Sequence, residues 1–200
     1  IGSLLEIYRY QADGFKRLNG GGNTGFKKND ILFKLAGDFN NHQLALKLKY
    51  SDETSDETYL GLTEQDYQTN PTMRYSASQL DNMDTTHRLV QLNYQVELTD
   101  NATLSAATYL NKFSRNWYKT SKVGGFKLGK GAEEAASSFD QSPTASLNID
   151  VKANNRHYQS SGIQTRLDIT QGDHIITLGL RLHKDDVDRF QWVDKYSINN

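Results

Sequence analysis

A nearly perfect alternation of apolar and polar residues constrains the fold of this chain more than any other feature. It is clearest in residues 174–183, HIITLGLRLH, where every second residue is apolar. A period of two places successive side chains on opposite faces of a β-strand. Six other segments alternate in a similar way, so the sequence predicts seven strands. They span about residues 2–11, 30–37, 42–51, 86–98, 103–116, 157–170 and 174–188.

The connections between the predicted strands are of two kinds. Three are short and rich in Gly, Asn and Asp, which tolerate the left-handed backbone of tight turns: residues 37–41, 99–102 and 171–173. Three are long: residues 12–29, 52–85 and 117–156. Alternate connections of a meander lie at alternate ends of the sheet, so all the long loops lie at one end. Outer-membrane barrels combine short turns at one end with long loops at the other.

The distribution of charge favours lipid on the apolar side of the sheet. A Lys or Arg facing the middle of a bilayer costs about 2–4 kcal/mol. The apolar faces of strands two, three, four, six and seven carry no charge over their centres. The charges lie on the opposite faces: Lys34, Lys47, Lys49, Glu97, Arg166, Asp168 and Arg181. We therefore predict an all-β antiparallel up-and-down meander of about seven strands, part of a large transmembrane β-barrel.

Two predicted strands have ambiguous faces. The first has Glu6 and Arg9 on opposite sides, and the fifth sets Leu104 and Leu110 against Phe113 and other large residues. Aromatic residues near the long-loop ends of the strands suit either a headgroup girdle or ordinary cross-strand packing. A soluble β-sandwich also alternates, so this fold remains the alternative.

Composition narrows the function classes. The formal net charge of −1 gives no signal for nucleic acid, and the absence of cysteine excludes disulfides and thiolate metal sites. The chain begins with Ile1 inside a predicted strand, without a signal peptide. Seven strands that start at the short-turn end and finish at the long-loop end cannot close a barrel. We therefore interpret residues 1–200 as one partial barrel domain whose remaining strands lie elsewhere.

Four segments resemble TonB-dependent outer-membrane receptors, especially those of the ferric-dicitrate type. They are RYQADGFKRL (9–18), residues 55–87 with TEQD (63–66) and RYSASQLDNMDTTH (74–87), NKFSRNWYK (111–119) and HIITLGLRLHKDDVDRFQ (174–191). The resemblance implies a bacterial outer-membrane barrel of about 22 strands, closed by a plug domain. It also implies ligand binding between loops and plug, and energy from a TonB complex through an N-terminal box. Neither plug nor box is in this sequence.

The resemblance further implies an anionic ferric chelate, ferric citrate or a siderophore, held by arginines from loops and strand tops. Guanidinium groups bind carboxylates through paired hydrogen bonds. The candidate ligand-binding residues are Arg74, Gln79, Arg88, Arg115, Trp117 and Tyr118. Alternatively, these arginines pair with loop acids such as Asp81 and Asp84. The second loop is rich in acids, which leaves another nutrient open. We predict no cofactor, metal ligand or catalytic group.

Weaker motifs complete the sequence-based hypotheses. An outer-membrane enzyme would need a histidine beside a nucleophile or acid, and the near candidates are His87 with Asp84 and His157 with Ser160. The segment 184–188, KDDVD, has carboxylates but not the spacing of a known calcium loop. Thr63 opens a capping box for a helical turn before Pro71, and residues 131–137 favour another turn.

Overall fold

A computed structural model describes residues 1–199, and most of them lie in β-strands. The strands are β1 (Gly2–Ala12), β2 (Arg17–Leu18), β3 (Phe26–Phe39), β4 (His42–Ser55), β5 (Met73–Arg74), β6 (Asn82–Thr99), β7 (Ala102–Val123), β8 (Phe126–Lys127), β9 (Ser146–Gln171) and β10 (His174–Asn199). The helices are α1 (Glu64–Thr69), α2 (Ala132–Asp140) and a 3-10 turn at Ser76–Ser78. Within residues 1–199, no helix is long and apolar enough to cross a bilayer.

The seven long strands form one antiparallel sheet in the order β1-β3-β4-β6-β7-β9-β10. Strands adjacent in this order are also consecutive among the long strands of the chain, so the predicted meander is confirmed. Several strands extend further toward the long loops than predicted: β6 begins at Asn82, β9 begins at Ser146 and β10 ends at Asn199. The extension of β9 alternates as well, with Leu147, Ile149 and Val151 buried on one face, so the sequence prediction placed the start of this strand too late. Backbone pairing with the neighbouring strand keeps these segments extended.

The three predicted tight turns are each two residues long. They connect Phe39 to His42, Thr99 to Ala102 and Gln171 to His174. Asn40 has φ +53° and Gly172 has φ +59°, which is the left-handed backbone that such turns require. All three turns lie at one end of the sheet, called the turn end here. The opposite end, with the long connections, is the loop end.

The strand register gathers the apolar residues into one continuous band. Leu5 pairs with Phe33, which pairs with Leu48, and the same row continues through Val90 to Leu110. We call the following set the apolar belt: Leu5, Ile7, Ile31, Phe33, Leu35, Leu44, Leu46, Leu48, Val90, Leu92, Val96, Leu104, Leu110, Ile163, Leu167, Ile169, Ile176, Leu178, Leu180 and Leu182. The register thus shows which face of the first and fifth predicted strands is apolar: Leu5 and Ile7 of β1, and Leu104 and Leu110 of β7, are on the belt side.

The opposite face is polar and concave. Toward the turn end, strands β3, β4, β6, β7, β9 and β10 curve around a cavity of about 720 Å³. Asp38, Gln43, Asn93, Arg166 and Arg181 are among the residues that line it. The sheet therefore has one apolar face and one hollow polar face. Both ion pairs of Asp30, with Lys28 and Lys49, are also on the polar face.

The buried hydrophobic core lies at the loop end, where the long connections pack against the extended parts of β7 and β9. It contains Leu60, Tyr75, Ala77, Val123, Ala132, Ala136, Phe139, Leu147, Ile149 and Val151. The two helices predicted here are confirmed: the Thr63 side chain accepts a hydrogen bond from the Asp66 amide at the start of α1, and α2 covers residues 132–140. We call residues 56–81 and 124–145 with this core the loop layer.

Candidate ligand-binding surface

Three arginines lie side by side on the polar face, near the loop end. Arg115 of β7 pairs in register with Arg156 of β9, and Arg156 pairs with Arg189 of β10. Above them, Lys119 pairs with Lys152. We call these five residues the cationic surface. Like charges directly opposite each other in a sheet repel, so this arrangement favours a bound anion.

Three acids on the polar face close to the cationic surface already have partners, two of them lysines. Glu53 lies 3.7 Å from Lys28, Asp150 lies 3.6 Å from Lys122, and Asp185 lies 3.0 Å from His183. Within residues 1–199, none of the five members of the cationic surface makes an ion pair. Their positive charges are therefore not neutralised by the part of the chain that the structure describes.

Trp117 lies between two of these cations. The guanidinium carbon of Arg115 is 5.2 Å from the Trp117 ring centre, and Lys119 Nζ is 4.3 Å from the ring centres of both Trp117 and Tyr59. Trp117 Nε1 and Arg115 Nε are buried without an acceptor from residues 1–199. Each unsatisfied buried donor costs about 1–3 kcal/mol. An anion or a water molecule that accepts from them would recover this free energy.

A polar cluster holds Arg156 in place. Its Nε donates to Asn154 Oδ1 at 3.1 Å and its Nη1 donates to the Tyr158 hydroxyl at 3.2 Å. Gln191 donates to the same Asn154 oxygen at 2.8 Å. The Arg156 hydrogen bond, aided by the charges of Arg156, Arg115 and Arg189, lowers the pKa of Tyr158 against the opposing effect of desolvation.

The structure brings together two of the predicted ligand-binding residues, Arg115 and Trp117. Tyr118 faces the other side of β7, with its ring 6.3 Å from that of Trp192. Arg88 is also on the belt side, where its guanidinium lies 5.9 Å from the Tyr50 ring centre. Alternation along the strand separates Arg88 and Tyr118 from the cationic surface, so the structure does not place all candidates at one site.

The two remaining candidates lie in the loop layer. Arg74 Nη1 donates to the carbonyl of Pro71 at 3.0 Å, and Arg74 lines a cavity of about 240 Å³ together with Lys16 and Tyr59. Tyr59 also contacts Trp117 edge to face, with ring centres 5.6 Å apart, so this cavity adjoins the cationic surface. Gln79 is exposed at the end of the 3-10 turn.

The suggested acid partners of the arginines bond elsewhere. Asp81 accepts hydrogen bonds from the Tyr59 amide at 2.8 Å and from the Thr120 hydroxyl at 2.8 Å. Burial raises the pKa of Asp81, although these hydrogen bonds oppose the increase. Asp84 accepts from the Thr54 hydroxyl at 2.6 Å. Neither carboxylate is in an ion pair with an arginine of residues 1–199.

Sequence reasoning missed Arg156 and Arg189. The signal was present: both residues lie equally far along the chain from the turn Gly172–Asp173, so a hairpin without bulges must pair them. Both strands were predicted too short at the loop end. The sequence placed the start of β9 near residue 157 and the end of β10 near residue 188. Both arginines lay just outside these boundaries and were assigned to loops or strand ends.

The two histidine pairs considered from the sequence as catalytic candidates do not form. His87 Nε2 is 2.5 Å from Asn111 Oδ1, whereas Asp84 is on the other face of β6. His157 Nδ1 is 3.0 Å from Ser114 Oγ, and Ser160 faces away from it. In the part of the chain that is described, no group of three or more His, Asp or Glu side chains could hold a metal ion.

No protein-family model matches the chain, and no curated protein has a significantly similar sequence.

Proposed function

We propose that this chain is part of the transmembrane barrel of a TonB-dependent outer-membrane receptor that takes up a ferric chelate, ferric citrate or a siderophore. The observation that carries the proposal is the sheet with one exposed apolar face and one hollow, charged face. Soluble sandwiches bury the apolar face of each sheet against the other. Here the belt is open: Leu178 is 57% exposed and Leu180 is 64% exposed.

The dimensions of the belt fit a bilayer. In β4 it begins next to the turn end at His42 and ends near Tyr50, which is about the length of strand that crosses the hydrocarbon at a tilt. Beyond this height the same face carries charged residues, among them Asp52, Arg88 and Lys112. On β4, β6 and β7 this change to charged residues fits a headgroup region, whereas on β9 the same face continues with Val151 and Ile149, which pack in the loop-end core.

The two edge strands support a larger barrel. Both β1 and β10 run from the turn end to the loop end, so they cannot close antiparallel against each other. Unpaired backbone groups at these edges are unfavourable in lipid. An odd number of additional strands between β10 and β1 would allow antiparallel closure of the barrel. The plug domain and the TonB box of such a receptor are likewise outside residues 1–200.

The cationic surface supports an anionic ligand. Guanidinium groups bind carboxylates with two parallel hydrogen bonds, and Arg115, Arg156 and Arg189 provide three such groups in one row. Trp117 offers an apolar wall and an unpaired donor beside them. Among the residues named from the sequence, Arg115 and Trp117 are the ones that we retain for chelate binding, with Arg74 in the adjoining cavity.

The proposal is tested by chelate-dependent growth of cells that carry the intact protein. Replacing Arg115→Gln together with Arg156→Gln should prevent growth on ferric citrate or a siderophore as the iron source, while the amount of protein in the outer membrane stays normal. The matched control is Arg166→Gln with Arg181→Gln, which removes two arginines from the turn end of the same face. Equal growth of both double variants, or a soluble monomeric protein without detergent, would contradict the proposal.

A further inference from the structure

A second pair of cations lies on the belt side of the sheet. Arg88 of β6 and Lys112 of β7 are directly opposite each other in register, and both side chains are exposed. Within residues 1–199, neither makes an ion pair. Tyr50 is the neighbour of Arg88 in the same row, and its ring supports the guanidinium at 5.9 Å. We call Arg88 and Lys112 the margin pair.

The margin pair is immediately above the apolar belt. Two residues nearer the turn end on the same three strands, the row consists of Leu48, Val90 and Leu110. An exposed apolar surface with cations at its upper limit is complementary to an amphiphile with an anionic head. Its acyl chains would cover the leucines and valine, and its head would reach the guanidinium and the ammonium.

The acids on this face near the margin pair are engaged with other residues. Asp52, one row above Tyr50 and Arg88, accepts a hydrogen bond from Asn29 at 2.8 Å. Asp186, in the same row but two strands beyond Lys112, lies 3.0 Å from Lys184. An external anion therefore does not have to displace an acid from either cation.

From this geometry we infer that the margin pair binds the phosphate of an anionic membrane lipid on the outer surface of the barrel. Arginine suits a phosphate because it donates two parallel hydrogen bonds, and the neighbouring lysine adds a point charge. Phosphate-bearing lipids attract basic residues at the membrane surface. The inference rests on the proposed membrane-spanning function and assigns Arg88 to lipid, away from the chelate.

Binding is measured by titrating the intact protein in non-ionic detergent with phosphatidic acid, with phosphatidylcholine of the same acyl chains as the neutral comparison, and reading bound lipid by native mass spectrometry. Each cation that is removed should weaken phosphatidic acid binding about fivefold. The double variant Arg88→Gln with Lys112→Gln should therefore bind it roughly thirtyfold more weakly. The matched control is Lys34→Gln with Lys47→Gln. These lysines form the same kind of like-charge pair, but on the polar face.

The outcomes are distinguishable. Unchanged phosphatidic acid binding by the margin variant, or equal loss in the control, would overturn the inference. Competition by micromolar inorganic phosphate would overturn it too, because the site would then accept free phosphate. If the protein needs detergent but binds phosphatidic acid no better than phosphatidylcholine, the lipid site is excluded and the proposed function is not. If the protein is monomeric and soluble without detergent, both the proposed function and this inference are excluded.

Discussion

The hydroxyl of Ser137 in α2 donates a hydrogen bond of 2.6 Å to the carboxylate of Asp66 in α1. The Tyr75 hydroxyl donates to the same carboxylate oxygen at 2.6 Å. These contacts join the second and third long connections into one packed unit. Asp140 adds a further link, because it accepts from the Ser76 hydroxyl and from Asn19 at 2.9 Å. The long loops of this protein thus form an ordered layer with its own core.

The first prediction concerns the pH dependence of this layer. Hydrogen bonds from Ser137 and then Tyr75 lower the pKa of Asp66 below its ordinary value of 3.8. A lowered pKa in the folded state means that the carboxylate stabilises the layer above about pH 4, and that this contribution disappears as the pH falls through the lowered pKa. Hydrogen-exchange protection of α1 and α2 amides, corrected for intrinsic rates, should therefore decrease in this acid range.

Asp66→Asn should reduce this protection at neutral pH and flatten its acid dependence. The control is Glu64→Gln, because Glu64 is exposed and its hydrogen bond comes from the Gln68 side chain on the same helix. An unchanged acid dependence in Asp66→Asn would show that another group is responsible.

The second prediction concerns the two faces of the sheet. The chain has no cysteine, so single cysteines can be introduced without background. Lys47 and Leu48 are adjacent in β4 but face opposite sides. The proposed membrane location predicts that a polar maleimide labels Lys47→Cys readily and Leu48→Cys poorly, because it leaves only the polar face hydrated. Brominated lipids should quench a fluorophore on Leu48→Cys more strongly. Equal labelling of both positions would exclude lipid on the belt side.

The third prediction concerns the close packing of Tyr109 over β9. The Tyr109 hydroxyl lies 2.5 Å from His183 Nδ1 and accepts from Arg181 at 3.2 Å. Its ring crosses Gly162, where an added Cβ would be 2.6 Å from the hydroxyl oxygen and 2.7 Å from the Leu182 carbonyl. Gly162→Ala should lower the free energy of unfolding by about 1–3 kcal/mol, measured by urea denaturation in detergent.

Gly179→Ala is the matched control for that measurement. Gly179 is on the same face of the adjacent strand, but a Cβ there has its nearest neighbour at 3.7 Å, an ordinary contact. Adding Tyr109→Ala to Gly162→Ala should not restore full stability, because the Leu182 carbonyl still obstructs the methyl group. Equal stability of the two alanine variants would contradict the contact.

The amino-acid sequence by itself determined the seven long strands, their order and the faces of five of them. Alternation with a period of two and turn residues such as Asn40 and Gly172 are local signals, and a two-residue turn leaves a meander as the simplest path. The same local rules predicted α1 after Thr63. These features need no knowledge of distant residues.

Only the tertiary structure decided the loop layer and the binding surfaces. Leu60, Tyr75 and Phe139 are buried together by contacts between separate loops, and no periodicity along the chain reveals such contacts. Arg115 meets Arg156 because the register of three strands continues beyond the apolar belt. The register also separates Arg88 from Arg115. Arg88 pairs with Lys112, and Arg115 lies three residues further along β7, so the two arginine side chains are on opposite faces of the sheet.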